Sequence, residues 1–481
     1  MRLNVILRYM GMMLLLEAIF MLIAVAISIF NGMDGGYAPL LLSFLLTAIL
    51  GAFPLLFVEK TDGINSKESF GIVIGAWLIS CVVGMFPYLL WGGEFDFTNA
   101  WFESVSGFTT TGATILNNVE AMPKSLLFWR STTHWLGGVG VVMFALVVLP
   151  VMGKSKLNIT NVELSSIAKD NYQYSTKKIV HICLSVYLGL TLLTTLLLKL
   201  AGMGWFDAVN HAFSISSTGG FSTKNMSIGA FDSVWIEVVA ELFMLISGIH
   251  FGLIFATLTG KANNMFKSEV CRYYFSCIAL AVLFVSLNLY RNGVYGTYWE
   301  SLRYSSFQLI SYTTTSGFST TDTNLWMPFS MLIAIMLSIQ CACSGSTSGG
   351  LKCDRMILVG KIIKTRLQQQ QHPSAVFRIK VNGVVQDYSV LQATQIFIIL
   401  YLILIFVGAL INAACGMDLL SSVSFAISSV GNVGIGFGDV GSMENCANLP
   451  VMVKYTSTLL MLLGRLEIFG LIQLFLIKWW V

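Results

Sequence analysis

The chain has 481 residues, of which 56% are hydrophobic and only 11% charged, with a mean hydropathy of +0.76. A soluble globular chain carries about 25% charged residues, so that class is excluded and lipid is the solvent this composition fits. The net charge of +4 is small and no basic cluster is interleaved with aromatics, which argues against a nucleic-acid partner. Nine cysteines are scattered without metal-binding spacing. Cys341 and Cys343 lie in an apolar run with Cys353 just beyond it, a setting that suits buried free thiols better than zinc. Cys415 and Cys446 could share the outer side and pair as a disulfide, which spacing alone does not establish.

Two apolar segments come first, about 5–30 and 36–58, joined by the turn Asn31-Gly32-Met33-Asp34-Gly35-Gly36. Each has the roughly 20 apolar residues that a membrane-spanning helix requires. The first carries Glu17 and follows Arg2 and Arg8; with no small-residue cleavage site after it, it reads as a retained helix rather than a signal peptide. Residues 1–69 are thus an N-terminal transmembrane hairpin with a polar link.

The rest reads as four repeats: 70–175, 176–268, 269–387 and 388–481. Each has an outer helix, a short half-helix, a turn and an inner helix. The predicted long spans are 70–92 and 125–152, then 178–202 and 233–260, then 271–290 and 326–342, then 388–414 and 450–480. The half-helices are 97–109, 205–217, 298–314 and 418–431. About a dozen residues make roughly 20 Å of helix, too short for about 30 Å of hydrocarbon. They must re-enter, and irregular backbone at that depth is tolerated only where it is buried or lines a wet path. A half-helix ending there also points its partial negative charge at the space below, favouring a cation.

The turns are Thr110-Thr111-Gly112-Ala113-Thr114, Thr218-Gly219-Gly220-Phe221-Ser222, Thr315-Ser316-Gly317-Phe318-Ser319 and Asn432-Val433-Gly434-Ile435-Gly436. A serine four residues earlier (Ser106, Ser214, Ser311, Ser428) fixes their alignment independently of the glycines. The shared Thr/Asn-x-Gly pattern resembles the filter of potassium channels, where backbone carbonyls replace the water around an ion. The glycine permits a backbone conformation that is costly for any residue with a Cβ. Four such turns in register, each between membrane-length segments, read as one pore built by one chain.

The loops set an orientation. One group carries Lys154, Lys156, Lys169, Lys177, Lys178, Lys261, Lys267, Arg272 and the cations between Lys352 and Lys380. The other carries Asp34, Glu94, Asp96, Glu120, Asp207, Asp232, Asp418, Asp439 and Glu444. The positive-inside rule puts the first group and both termini in the cytoplasm. The acidic group then forms an outer vestibule, or is simply solvated loop charge.

Two features break the symmetry. The third inner helix is interrupted by Ser344, Gly345, Ser346, Thr347, Ser348, Gly349 and Gly350, followed by a basic helical stretch. That run is either a loop at the membrane surface or a loop inserted beneath the turns as a gate hinged on its glycines. The fourth inner helix contains Gly464-Arg465-Leu466-Glu467 in apolar surroundings. Arg465 either pairs with Glu467 or another helix, or stands in the ion path and limits leakage; the second reading is preferred. His134-Trp135-Leu136-Gly137-Gly138, after Arg130, reads as helix packing through glycine, and Glu241 and His250 as buried polar packing.

From about residue 70 to its end the chain resembles the Trk/Ktr/HKT superfamily of potassium transporters. The N-terminal hairpin, the 344–352 loop and the Gly-Arg-Leu-Glu at Arg465 resemble its TrkH-like membrane subunits in particular. The resemblance implies an all-α polytopic membrane protein with four helix–pore-loop–helix repeats around one pore. It implies K+ selectivity from Gly112, Gly220, Gly317 and Gly434, gating by the 344–350 loop with Arg465 close to it, and assembly as a homodimer. It further implies control by a cytoplasmic TrkA-like ring that binds nucleotides; this chain has no Gly-x-Gly-x-x-Gly after a strand, so nucleotide binding belongs to that partner. Only the fourth turn has a second glycine, Gly436, where the others have Thr114, Ser222 and Ser319, so ion discrimination should be less strict than in a four-fold channel. No covalent chemistry is implied, so the chain is not an enzyme. A K+ symporter coupled to H+ or Na+ is the alternative, for which Glu17, Glu241 and Glu467 leave room. A voltage-gated channel would need arginine at every third position of a helix, and none is present.

Overall fold

The computed structural model describes residues 2–59, 66–151, 176–260, 264–375, 377–466 and 468. The N-terminal hairpin is α1 (Leu3–Phe30) and α2 (Tyr37–Phe57). The two helices cross where neither has a side chain: a Cβ on Gly11 would lie 2.6 Å from the Gly51 carbonyl oxygen. Small residues permit this approach, and in lipid such packing replaces the hydrophobic effect as the source of association. The connecting turn is tied to the first repeat through Asp34. Its carboxylate accepts from Ser28 Oγ at 2.5 Å, Ser125 Oγ at 2.6 Å and the Ser125 amide at 3.2 Å. Burial opposes the charge on Asp34, but the hydrogen bonds from Ser125, Ser28 and Gly36 outweigh it and hold its pKa below the usual carboxylate value.

The first repeat contributes α3 (Ser66–Gly84) and α4 (Phe86–Trp91) as its outer helix, the short α5 (Phe97–Phe108) and the inner α6 (Lys124–Val151). The second has outer α7 (Thr176–Leu200), short α8 (Trp205–Ser216) and an inner pair, α9 (Val234–Ser247) and α10 (Phe251–Leu258). The third has outer α11 (Glu269–Arg291), short α12 (Tyr298–Thr313), inner α13 (Pro328–Gln340) and, after the loop, α14 (Cys353–Gln371). A two-stranded hairpin, Lys380–Val381 against Val384–Val385, leads to the fourth. There, outer α15 (Tyr388–Ala414), short α16 (Leu419–Gly431) and inner α17 (Val451–Arg465) follow. The short helices start where the sequence supplies caps: Asp96 and Asp418 accept from first-turn amides, and Thr297 forms a reciprocal capping box with Glu300.

Among the described residues, six segments are long and apolar enough to cross a membrane unbroken. They are the two hairpin helices and the four outer helices. The inner helices carry the polar and broken positions, as expected of elements that turn away from lipid. The expected inner span 233–260 is not continuous: α9 and α10 meet at 104°. His250 caps the second piece, its Nδ1 accepting from the Gly252 amide at 2.9 Å. The third repeat satisfies the backbone groups freed by the bend, with the Cys343 amide donating to Gly248 O at 3.0 Å and the Phe251 amide to Gly345 O at 3.1 Å. Most of the expected 467–480 stretch, including Glu467, lies outside the described residues, as do Lys154, Lys156, Lys169 and Lys261.

The repeats close into a ring. Each short helix packs between the inner helix of its own repeat and that of the repeat before it. Thus α5 sits between α17 and α6, α8 between α6 and α9, α12 between α9 and α13, and α16 between α13 and α17. A hydrogen bond to a charged group such as the Asp34 carboxylate contributes about 1.5–3 kcal/mol. Asp34→Ala should therefore lower the thermal midpoint of the detergent-solubilised protein at pH 7. Because the native pKa is depressed, that contribution is present above the unfolded value of about 3.9 and lost as pH falls through the native one, so variant and parent should converge in acid.

Candidate ion-binding site

All four short helices end in the same way. In each, the helix is closed by a left-handed residue that is not glycine: Thr110 (φ +53°), Thr218 (+54°), Thr315 (+57°) and Asn432 (+55°). Its amide donates to the carbonyl three residues earlier, on Gly107, Ile215, Tyr312 and Ser429 respectively, at 3.0–3.4 Å. The next amide, on Thr111, Gly219, Ser316 or Val433, donates to the carbonyl of the aligned serine at 2.8–3.0 Å. This is a Schellman cap made four times. A β-branched residue at positive φ is strained by about 1–3 kcal/mol, so the surrounding contacts must over-determine it. The serines that align the repeats act first through their carbonyls. Their hydroxyls differ: Ser106 donates to Ala113 O at 2.6 Å and Ser311 to Phe318 O at 2.7 Å, whereas Ser214 and Ser428 have no such partner.

The turns meet in cyclic order. A Cβ on Gly112 would stand 2.6 Å from the Gly220 amide nitrogen, and one on Gly220 would stand 2.9 Å from Ser316 O and 3.0 Å from Gly317 O. A Cβ on Gly317 would strike Val433 O, and one on Gly434 would strike Thr111 O. The same Cβ on Gly317 would stand 3.5 Å from Thr111 O, which belongs to the first turn. Thus Gly112, Gly220, Gly317 and Gly434 are glycines because the backbone of another turn fills the space a side chain needs. Thr110, Thr111, Thr218, Gly219, Thr315, Ser316, Asn432 and Val433 are all buried around that meeting point. Asn432 Nδ2 links the fourth turn to the first by donating to Thr111 Oγ1 at 3.0 Å.

Behind the first two turns lies a buried ion pair that the sequence reading did not single out. Arg130 Nε donates to Glu103 Oε1 at 2.6 Å, and Arg130 Nη1 donates to Ser222 O at 2.9 Å. The guanidinium also lies 3.5 Å from the centroid of the Phe221 ring. Glu103 in turn accepts from Thr114 Oγ1 at 2.9 Å and the Ile115 amide at 3.0 Å. His134 completes the brace: its ring stacks on Phe221 at 4.1 Å, Nδ1 meets Gly107 O at 2.7 Å, and Nε2 accepts from the Phe221 amide at 3.2 Å. A Cβ on Gly219 would collide with that ring, which accounts for the double glycine of the second turn. Gly137 and Gly138 do pack helices closely, against Phe108 O and Ser217 respectively.

The post-turn loops form a second ring. The Cys446 amide donates to Thr114 O at 2.7 Å, the Val119 amide to Asn225 Oδ1 at 2.7 Å and the Ser319 amide to Ser227 Oγ at 3.2 Å. Ser319 Oγ then donates to Ser442 O at 2.8 Å and closes the circle. Cys415 and Cys446 are both free thiols.

The 344–350 loop is buried inside the ring rather than lying at its edge, with only Gly345 exposed. Thr347 Oγ1 donates to Ser216 O at 3.1 Å, at the end of α8, and the Gly349 amide donates to Thr315 Oγ1 at 3.3 Å. A Cβ on Gly349 would strike Gly431 O, at the end of α16. Arg465 is 8% exposed; Nη1 donates to Thr347 O at 2.5 Å and Nη2 to Gly137 O at 3.4 Å. Ser344, Ser346 and Ser348 are buried, with Ser346 Oγ donating to Cys343 O at 2.6 Å. The loop therefore touches repeats two, three and four, and Arg465 ties it to repeat one. Glu17 and Glu241 stand apart. Glu17 borders a cavity of about 70 Å³ beside Trp77 and Phe108, and Glu241 accepts from Ser306 Oγ at 2.8 Å.

Four re-entrant helices around one axis, flanked by membrane-length outer helices, define a polytopic membrane protein of the single-chain, four-repeat pore class. The sequence pattern of the TrkH family, described as cation transport protein, matches residues 40–479, so the chain belongs to that family. The match begins inside the hairpin, earlier than the expected residue 70. Similar proteins include the Trk system potassium uptake protein TrkH of Halomonas elongata, 32% identical over all of both chains. The same-named protein of Escherichia coli K12 is 32% identical over 93% of each. The crystal structure of the potassium transporter TrkH from Vibrio parahaemolyticus superposes with a TM-score of 0.88 at 31% identity over 98% of each chain. Removing one partner of a buried ion pair costs about 3–5 kcal/mol because the other charge is stranded. Arg130→Ala should therefore lower thermal stability far more than the double variant Arg130→Met with Glu103→Leu, and a double-mutant cycle measures the coupling.

Proposed function

We propose that this chain carries K+ into a bacterial cell through the ring of turns, down its electrochemical gradient. The observation that supports this most is the cyclic approach of Gly112, Gly220, Gly317 and Gly434. It sets carbonyl oxygens of Thr111, Ser316, Gly317 and Val433 against the glycines of neighbouring turns. Carbonyls so gathered replace a cation's water shell. Thr110, Thr111, Thr218, Gly219, Thr315, Ser316, Asn432 and Val433 form the remainder of this filter. A negative-inside potential supplies about 2.3 kcal/mol per charge per 100 mV. The relatives named above as potassium uptake proteins support K+ as the ion.

Ser344, Gly345, Ser346, Thr347, Ser348, Gly349 and Gly350 act as the gate in this reading, and Arg465 as its latch. The guanidinium holds the loop by Thr347 O and places a positive charge beneath the turns, where it opposes a passing cation. The cationic loops and both termini face the cytoplasm of a cell whose inner membrane holds the protein. Regulation by a TrkA-like nucleotide-binding subunit, and assembly as a homodimer, belong to the same reading. The basic helix α14 supports the first, exposing Ile363 and Leu367 at its far end. Coupled K+ symport is the second reading. It rests on Glu17, a carboxylate 4% exposed with one oxygen lacking a partner. Uptake that stops when the proton gradient is collapsed at constant voltage would select symport; uptake that continues selects the conduit.

Gly434→Ser puts a Cβ against Thr111 O, so K+ over Na+ discrimination should fall about ten-fold, or ~1.4 kcal/mol. Competition measurements that give an unchanged ratio remove Gly434 from the filter. Arg465→Ala should raise K+ flux several-fold in well-expressed protein, and an unaltered flux assigns the arginine to structure alone.

A further inference from the structure

The two ends of the 344–352 loop meet at a neck made of cysteine. The Cys353 amide donates to Ala342 O at 2.9 Å, which sets Cys343 and Cys353 side by side on adjacent stretches of backbone. The Cys343 side chain lies against that of Cys353 and, on its other side, against that of Cys271 in the first turn of α11. Cys353 Sγ also reaches Cys341 O at 3.2 Å. All four sulfurs are free and buried. Among the described residues no group of three or more histidine, cysteine and carboxylate side chains is arranged to hold a metal. Bond formation between the sulfurs is the chemistry the neck offers.

We propose that the neck is an oxidative modification site, where a peroxide-class oxidant links Cys343 to Cys353 and holds the loop beneath the turns. The inference rests on the reading of this loop as the gate. Peroxide transfers one oxygen to the Cys343 sulfur, giving a sulfenic acid and one water. The Cys353 sulfur then attacks that sulfur, the S–S bond forms, and the oxygen leaves as a second water. The two thiol hydrogens end in the waters, and two electrons pass from sulfur to the peroxide O–O bond. Cys343 and Cys353 are buried, and an oxidant reaches them when the loop moves at its one exposed residue, Gly345, two residues from Cys343. In a reducing cytoplasm the pair stays as thiols, so the link forms under oxidant load and is removed by thiol exchange.

Such a bond restricts the two Cα atoms to about 4.4–6.8 Å. The ends of α13 and α14 then cannot draw apart, and a loop withdrawn by their separation stays in place. Cys271 does not belong to the loop, so it is not needed for the link.

The full-length protein in proteoliposomes, treated with hydrogen peroxide and digested after alkylation, tests this. A peptide pair joined through Cys343 and Cys353 is expected, together with at least a five-fold fall in K+ flux, both reversed by dithiothreitol. Cys343→Ala and Cys353→Ala should each abolish the link and the loss of flux, and Cys271→Ala should abolish neither. Absence of the joined peptide overturns the proposal, as does a joined peptide with unchanged flux. Deletion of 346–349 reports on the gate separately. If that variant remains closed, the gate reading fails, whereas the joined peptide still reports whether the neck oxidises.

Discussion

The left-handed residue after each short helix is the constraint on which the rest depends. A Schellman cap ends a helix abruptly and turns the chain back across its own axis. Made at Thr110, Thr218, Thr315 and Asn432, it delivers four segments of irregular backbone to one place. Irregular backbone within a membrane is tolerated only when protein or water satisfies its polar groups. The braces behind the turns, Glu103 with Arg130 and His134 with Phe221, therefore serve the same end as the caps. The close approach of the glycines is the result of that arrangement.

Much of this was legible in the residues. Hydropathy alone delimits the hairpin and the outer helices, because each is long and apolar throughout. The aligned serines and glycines locate the turns, since a helix end and a close approach each demand particular residue types. Asp96, Thr297 and Asp418 mark where three of the short helices begin. The bend in the second inner helix was not legible. Gly248-Ile249-His250 lies within an apolar run, and the partners that stabilise the bend, Cys343 and Gly345, come from the next repeat. Glu103 and Arg130 sit on different helices, 27 residues apart, so no periodicity relates them.

The loop beneath the turns shows how polar groups far apart in sequence replace a lost helix. Its hydroxyls and amides find Ser216, Thr315 and Cys343, and Arg465 covers a carbonyl that no amide reaches. A run of small polar residues in an apolar segment announces a break. It does not announce where the broken piece goes. That destination is set by the ends of the neighbouring short helices, whose last carbonyls are left without intrahelical partners.

The serine hydroxyls divide the turns into two kinds. The first and third use them to fasten the turn to its own helix, whereas the second is fastened through His211 to Ser222 Oγ at 2.9 Å and the fourth through Ser424 to the Phe437 amide at 3.0 Å. The four walls of the ring are thus secured by different side chains. Because one gene encodes every wall, each quarter of the ring can drift alone, whereas a homotetramer must change all four at once. Under the proposed function, preference among cations changes in small steps, one wall per mutation.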